Sequence, residues 1–326
     1  MIISRTPMRV SFLGGGSDLA VYYGRGFGQV LSTAIDRYIF ITVNKKFDDL
    51  IRVSYSKTEM VDHVDKVEHN IIREAMKIVG VQRGVDIVYM GDIPLGSAGI
   101  GLGSSSSLAV GVLNALYAYV GKHVSAERLA REACEIEINR LGHPMGKQDQ
   151  YAAAYGGFNC FRFNKDESVF VDPIICKPAT RADLNARLLM FYTGVERHSS
   201  TILTDQQNGI KDNAAFLDQM VASSEVVREM LVENELRAVG KLLHQGWLAK
   251  RKLAPGISSP RIDELYELAR NAGAVGGKIL GAGGGGFLML YVEQEDQARV
   301  RAALSELKES PFRFEPQGSK IIYVSD

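Results

Sequence analysis

The sequence predicts an α+β protein of two domains. Three observations predict it: a length of 326 residues, a first half in which short β-branched runs give way to helical periodicity, and a second half whose elements fall in the order β-α-β-β-α-β. At that length each half can bury a core of its own and leave a cleft between the two.

In the first half, Val10 to Leu13, Val30 to Ala34, Tyr38 to Val43, Ile51 to Tyr55 and Val85 to Met90 are β-branched or aromatic runs bounded by turn residues. From Leu108 the period becomes helical, with Ala109, Val112, Leu113, Leu116, Tyr117 and Val120 on one face, and Gly121 ends the helix. Ser125 caps the next helix, Glu127 sits in its first turn, and His143-Pro144 closes it. The second half reads as strand Leu188 to Thr193, helices from Asn213 to Asn271, strands Val275 to Leu280 and Phe287 to Val292, helix Gln294 to Lys308 and strand Lys320 to Val324. With the additional helices set aside, that order is the ferredoxin-like split motif. Lys177 and Pro178 interrupt the strand pattern between residues 175 and 187. The expected division is therefore a mixed α/β domain over 1–180 and a ferredoxin-like domain over 181–326.

Basic and acidic residues number 38 each, so the formal charge is zero, and no basic run stands out; nucleic acid is not expected as a partner. Cys134, Cys160 and Cys176 are too few and too irregularly spaced for a disulfide framework or a zinc site, which leaves free thiols in a reducing cytoplasm. Residues 1–9 carry Arg5 and Arg9 without an apolar signal core, and no long apolar run follows. A cytoplasmic protein without a membrane partner is expected, and a homodimer is compatible with the composition.

The most informative stretch is Pro94-Leu95-Gly96-Ser97-Ala98-Gly99-Ile100-Gly101-Leu102-Gly103-Ser104-Ser105-Ser106-Ser107, which runs straight into the helix. Glycines let a backbone approach an anion, and a helix N-terminus offers free N–H donors with a partial positive charge. Together they form a phosphate cradle, to which serine hydroxyls add hydrogen bonds or a Mg2+ ligand. A flexible Gly-Ser linker is the competing reading, and the position between a strand and a periodic helix argues against it. The stretch contains neither G-x-x-x-x-G-K-[ST] nor G-x-G-x-x-G, so the better-known nucleotide loops are excluded.

This loop resembles the phosphate-binding motif of the GHMP kinases, with Gly96-Ser97-Ala98 as an apparent insertion at its entry. Arg5 to Asp18, with Gly14-Gly15-Gly16-Ser17-Asp18 at its end, resembles that family's first motif, and Gly281-Ala282-Gly283-Gly284-Gly285-Gly286-Phe287 its third. Gly14 to Asp18, Gly146-Lys147-Gln148-Asp149-Gln150-Tyr151 and Phe191-Tyr192-Thr193-Gly194 are similar to D-glycero-D-manno-heptose 7-phosphate kinases. The resemblance implies a GHMP kinase fold and an ATP- and Mg2+-dependent kinase acting on a small-molecule sugar phosphate at its anomeric hydroxyl. The product would be a 1,7-bisphosphate for nucleotide-activated heptose and surface polysaccharide. A kinase for free fucose or galactose, or an ATP-dependent sugar sensor without turnover, remains the alternative.

Carried residue by residue, the resemblance implies that Asp149 accepts the hydroxyl proton and that Arg9 stabilises charge on the γ-phosphate. Gly99, Gly101, Leu102, Gly103, Ser104, Ser105, Ser106 and Ser107 would bind the nucleotide. Glu137 and Ser105 would hold the metal, with Ser104 as the neighbouring choice. Glu137 shares a helical face with Leu129, Ala133 and Ile136, where a charge needs a partner; an arginine would serve as well as a metal. Gly15, Gly16, Ser17 and Asp18 would meet the sugar, although the glycines would also suit a tight turn. Arg197 and His198 are candidates for the distal phosphate, ahead of Arg25 and Lys211.

Overall fold

A computed structural model describes residues 1–93, 100–195 and 199–325, without the side chains of Ser199, Lys211 and Asp212. Two sheets organise the chain. The first collects β1 (Ile2–Leu13), β2 (Phe27–Lys45), β3 (Ile51–Ser54), β4 (Thr58–Val61), β5 (Val85–Gly91), β6 (Phe158–Asn164) and β7 (Val169–Pro173). The second is built from β8 (Leu188–Tyr192), β9 (Ala274–Ile279), β10 (Phe287–Val292) and β11 (Lys308–Glu309). The last strand, β12 (Lys320–Val324), returns to the first sheet and pairs antiparallel with β1.

The first sheet runs β12-β1-β2-β5-β3-β4, with β6 joining the other end of β2 and β7 outside it. Strand β2 does the work of the two strands read from sequence. Its second half pairs with β5 and its first half with β6, and Asp36-Arg37, which reads as a turn, is a bulge opposite the Pro7/Met8 step of β1. The helices of this half are α1 (Ala20–Tyr23), α2 (Asn70–Val79), α3 (Ser104–Tyr119), α4 (Ala126–Cys134) and α5 (Gln148–Tyr155). Helix α3 lies against β1 and β2 with α2, α4 and α5 around it, so nearly every face of it is buried. It starts at Ser104, ahead of the apolar period at Leu108, because Gly103 in the left-handed region (φ 73°) ends the loop and turns the four serines into the first helical turn. Ser125 caps α4 through its hydroxyl, and α4 passes into a π-helical turn over Glu135–Arg140.

The polar segment near 178 is helix α6 (Pro178–Ala186), with Pro178 at its first turn, where a missing N–H is harmless. Beyond β8 come α7 (Ser199–Val232), α8 (Leu236–Lys250) and α9 (Pro260–Asn271), then α10 (Gln297–Ala303) between β10 and β11. Helix α7 begins well before the expected Asn213. Its Ser- and Thr-rich start reads as loop, yet Ile202, Ile210 and Leu217 bury one side of it. The second sheet has the order β11-β8-β10-β9, all antiparallel, which is the ferredoxin-like arrangement.

One expected element is corrected. The fourth strand of this motif is Lys308–Glu309, and the segment read as that strand, Lys320–Val324, belongs to the first sheet. Strand propensity does not choose between two sheet edges. The choice is made by 310–319, where Phe314 packs 5.8 Å from Phe158 and 6.3 Å from Phe12, and Glu315 N–H donates to Ala34 O. No helix among the described residues is long and apolar enough to cross a membrane.

The same return segment closes on the end of α5. Ser319 N–H donates to Ala153 O, and a Cβ at Gly318 would overlap the Ala154 carbonyl oxygen. Gly318→Ala is expected to destabilise the protein by roughly 1–3 kcal/mol, the range for overpacking. Urea denaturation measures it, and an unchanged midpoint would mean that this crossing does not constrain α5.

Candidate active site

Arg9 and Asp149 meet between β1 and the first turn of α5. Arg9 Nε donates to Asp149 Oδ1 and Nη2 to Oδ2, both at 2.8 Å, while Nη1 donates to the Gly101 carbonyl at 2.7 Å. The guanidinium fork thus holds the carboxylate bidentately and ties it to the glycine loop. Both side chains are largely buried, at 5% and 14% exposure, yet both line a cleft of about 890 Å³. A carboxylate has roughly four acceptor sites, so two arginine bonds leave capacity for a hydroxyl.

The glycine loop enters α3 directly above this pair. Gly101, Gly103, Ser104 and Ser105 line the cleft, and a Cβ at Gly103 would come within 3.3 Å of the Asp149 carboxylate, so glycine keeps the loop close to the acid. Leu102 is buried with its carbonyl on Arg9 N–H, and the Ser107 hydroxyl donates to Pro7 O and Gly103 O. These two residues fix the loop's shape and do not line the cleft.

Glu137 is fully buried. Its Oε2 accepts from Ser106 Oγ at 2.6 Å and from Gln150 Nε2 at 2.7 Å, and its Oε1 has no partner. Ser106 donates to it from α3, and Ser105, near enough to add its own pull on the carboxylate, lines the cleft. Burial pushes the Glu137 carboxyl up to about 7, against the pull of the Ser106, Ser105 and Gln150 hydrogen bonds. Among the described residues no three His, Cys, Asp or Glu side chains form a metal cluster. One carboxylate with a free oxygen and adjacent hydroxyls does fit a hard cation that takes its remaining ligands from phosphates and water.

At the other end of the pair, Asp18 Oδ1 accepts from Gly16 N–H at 2.9 Å and Oδ2 from Gln148 N–H at 3.3 Å. The carboxylate so braces the N-terminus of α5 as well as lining the cleft, and burial raises its pKa. Gly15 and Gly16 face the cleft with it. Ser17 does not: its hydroxyl donates to Gly14 O and Gln29 O beneath the turn. Gly99, Arg197 and His198 lie outside the described residues. The far end of the cleft is walled by Tyr55, His69, Ile71, Tyr89, Met90 and Ile93, an apolar and aromatic recess beyond the glycine loop.

Residues 68–157 match the GHMP kinases N terminal domain and residues 227–309 the GHMP kinases C terminal model, together more than half the chain. The chain belongs to the GHMP kinases. It is 28% identical over 320 residues to the D-glycero-alpha-D-manno-heptose 7-phosphate kinase of Campylobacter jejuni, covering 93% of each protein. It is 26% identical to the galactokinase of Pyrococcus furiosus, covering 93% of this chain and 92% of that one. Among solved structures, a D-glycero-D-manno-heptose 1-phosphate kinase from Bacteroides thetaiotaomicron superposes with a TM-score of 0.82 at 25% identity over the whole of both chains. Like these GHMP kinases, the chain is an ATP-dependent kinase.

Several groups in this GHMP kinase site have no role that the sequence assigns, even where they stand in a family-like run. Gln150 follows Asp149 and reaches Glu137; Gln148 precedes it and lines the cleft with Oε1 unpartnered. Lys250 comes from α8 in the other half of the chain and also lines the cleft. The π-helical turn that carries Glu137 inward has no composition of its own. An acid of this kind inside an otherwise apolar helical face was the available clue.

Glu137 makes stability depend on pH. Its folded pKa of about 7 lies above the ordinary 4.5, so the folded protein holds this proton more tightly. The stability it contributes is full below about pH 4.5 and is lost, by roughly 3 kcal/mol, as pH rises through about 7. In a chelating buffer the melting temperature of the wild type is expected to fall over that window relative to Glu137→Gln. Parallel pH curves for the two proteins would show that Glu137 is not buried in this state.

Proposed function

We propose that this GHMP kinase transfers the γ-phosphate of ATP to the anomeric C1 hydroxyl of D-glycero-α-D-manno-heptose 7-phosphate, giving the 1,7-bisphosphate and ADP. The observation that carries the chemistry is the Arg9–Asp149 pair, held bidentately against the glycine loop at the N-terminus of α3. The likeness to a heptose 7-phosphate kinase over 93% of both chains supports the acceptor.

Gly101, Gly103 and the first-turn N–H groups of α3 receive the nucleotide phosphates, with the base in the recess of Tyr55, Tyr89, Met90 and Ile93. Asp18 and the Gly15-Gly16 backbone hold the sugar so that its C1 hydroxyl faces Asp149. The hydroxyl oxygen forms the new O–P bond as the bond from the γ-phosphorus to the ADP oxygen breaks. The electron pair leaves with ADP, and the hydroxyl proton passes to Asp149 and on to water. Arg9 fixes the carboxylate's orientation and offsets negative charge where it develops. Glu137 and Ser105 are suited to hold Mg2+, which when bound neutralises the phosphate oxygens. The distal phosphate of the acceptor falls to Arg197 and His198, next in the chain to Ser200, Leu203 and Gln206 on the cleft wall.

ATP consumption with mass-spectrometric product detection tests this reading across D-glycero-D-manno-heptose 7-phosphate, heptose 1-phosphate, free heptose, mannose 6-phosphate, fucose and galactose. Selective formation of the 1,7-bisphosphate is expected. Turnover of free sugars alone would replace the acceptor, and no phosphorylation with any sugar would remove the sugar-kinase reading. With the active acceptor, Asp149→Asn is expected to lower kcat by roughly 10²–10⁴ while leaving ADP affinity nearly unchanged. Wild-type kcat in that variant would take the proton-accepting role away from Asp149.

A further inference from the structure

Lys250 ends α8, in the half of the chain that contributes no residue to the Arg9–Asp149 pair, yet its side chain lines the cleft beside Arg9, Asp18 and Asp149. The residue is 4% exposed. Its Nζ donates to the Gly281 carbonyl and makes no other hydrogen bond with the described residues. An ammonium has three donors, so two remain for something else.

Titratable groups face it from several elements. Arg9 faces it from β1, Lys278 from β9, Asp18 from the turn after β1 and Asp149 from α5. Arg9 is engaged with Asp149 and Gly101, and the buried Lys278 donates only to Phe12 O, at 3.1 Å. Three basic groups thus share two carboxylates, and burial with repulsion from Lys250 and Arg9 pushes Lys278 well below the ordinary lysine range, so Arg9 and Lys250 are the two that face the acids as cations. Burial, with repulsion from Arg9, brings Lys250 down to about 8 in spite of Asp18 and Asp149. A core has no use for such an ammonium: a methionine of the same length would fill the space without the desolvation cost.

The turn that holds Lys250 lies on the phosphate loop itself. A Cβ at Gly281 would come within 2.5 Å of Gly101 Cα, and one at Gly101 within 2.5 Å of Leu280 O, so the two glycine-rich turns interlock backbone to backbone. Lys250 is held by one partner of that interlock, and Arg9 by the other. Both cations therefore converge where a phosphate on the loop would meet a hydroxyl at Asp149.

We propose that Lys250 is a further catalytic residue of this kinase, contacting the γ-phosphoryl group of ATP with the two donors that the protein leaves free. The proposal rests on the reading of the cleft as the ATP site. The anion supplies the compensation that the protein withholds, and ADP, lacking that group, supplies less of it. A purely structural lysine would stabilise the fold and treat both nucleotides alike.

The test is calorimetric titration of ATP and ADP against the wild type, Lys250→Met and Lys250→Arg from about pH 7 to about pH 9, with a melting curve for each. Lys250→Met is expected to weaken ATP by roughly tenfold to a hundredfold and ADP by less than about threefold, with a melting temperature equal to or above that of the wild type. The wild-type preference for ATP over ADP is expected to shrink toward the alkaline end as Lys250 loses its proton. Lys250→Met abolishes that pH dependence, and Lys250→Arg, which stays charged, keeps the preference throughout. An unchanged ATP-to-ADP ratio in Lys250→Met overturns the proposal, as does an equal loss of both nucleotides with a lowered melting temperature. Should Lys250→Met fail to fold, an Arg variant whose preference still collapses at alkaline pH overturns it instead. A wild type that binds neither nucleotide overturns the ATP-site reading itself, and the proposal with it.

Discussion

The buried ion pair between Arg9 and Asp149 sets the terms for everything around it. Two charges withdrawn from water must recover their hydration through geometry, and a pair of this kind is favourable only when every donor and acceptor is placed. Here the placement is shared among elements far apart in sequence. Strand β1 carries the arginine, the glycine loop accepts its third bond, and α5 presents the acid. Helix α5 is then pinned at both ends, by Asp18 on Gln148 N–H and by Ser319 N–H on the Ala153 carbonyl. The carboxylate cannot drift without breaking one of these contacts, and that rigidity is what general-base geometry requires.

Such pinning depends on the C-terminal strand lying in the first sheet. The return through Phe312 and Phe314 to β12 brings Gly318 and Ser319 across the end of α5. From the sequence, Lys320 to Val324 is legible as a strand and not as a strand of either sheet, because the signal for pairing resides in the edge it meets. The aromatic residues of 312–314 were the only local hint. By contrast, the apolar period of α3, the glycine-serine run before it and the β-α-β-β-α-β order rest on short-range chemistry, and they could be read directly.

The site divides along the same line. The glycine-serine run before α3 announces a phosphate cradle by its own chemistry, whereas Arg9, Asp149 and Glu137 are picked out through the resemblance to the GHMP kinase motifs. How the serines meet Glu137 depends on the helical phase of α3 against a π-helical turn, and Ser106 is the one that donates to it at 2.6 Å. Lys250 is one of two lysines on an amphipathic helix until the packing of α8 on β9 carries it inward. Long-range burial, which decides its chemistry, has no counterpart in local sequence.

Glu137 and Lys250 are two groups whose compensation within the protein is incomplete, and they have opposite signs. Each is shifted by burial toward its neutral form, the carboxyl upward to about 7 and the ammonium downward to about 8. A lone anion in the cleft would relieve the lysine and aggravate the glutamate; a lone cation would do the reverse. A cation already paired with a polyphosphate relieves both at once. On the proposed reading, a metal–nucleotide complex would therefore match both groups, and the interlocked glycine turns bring the Lys250 acceptor, Gly281, onto the phosphate loop at Gly101.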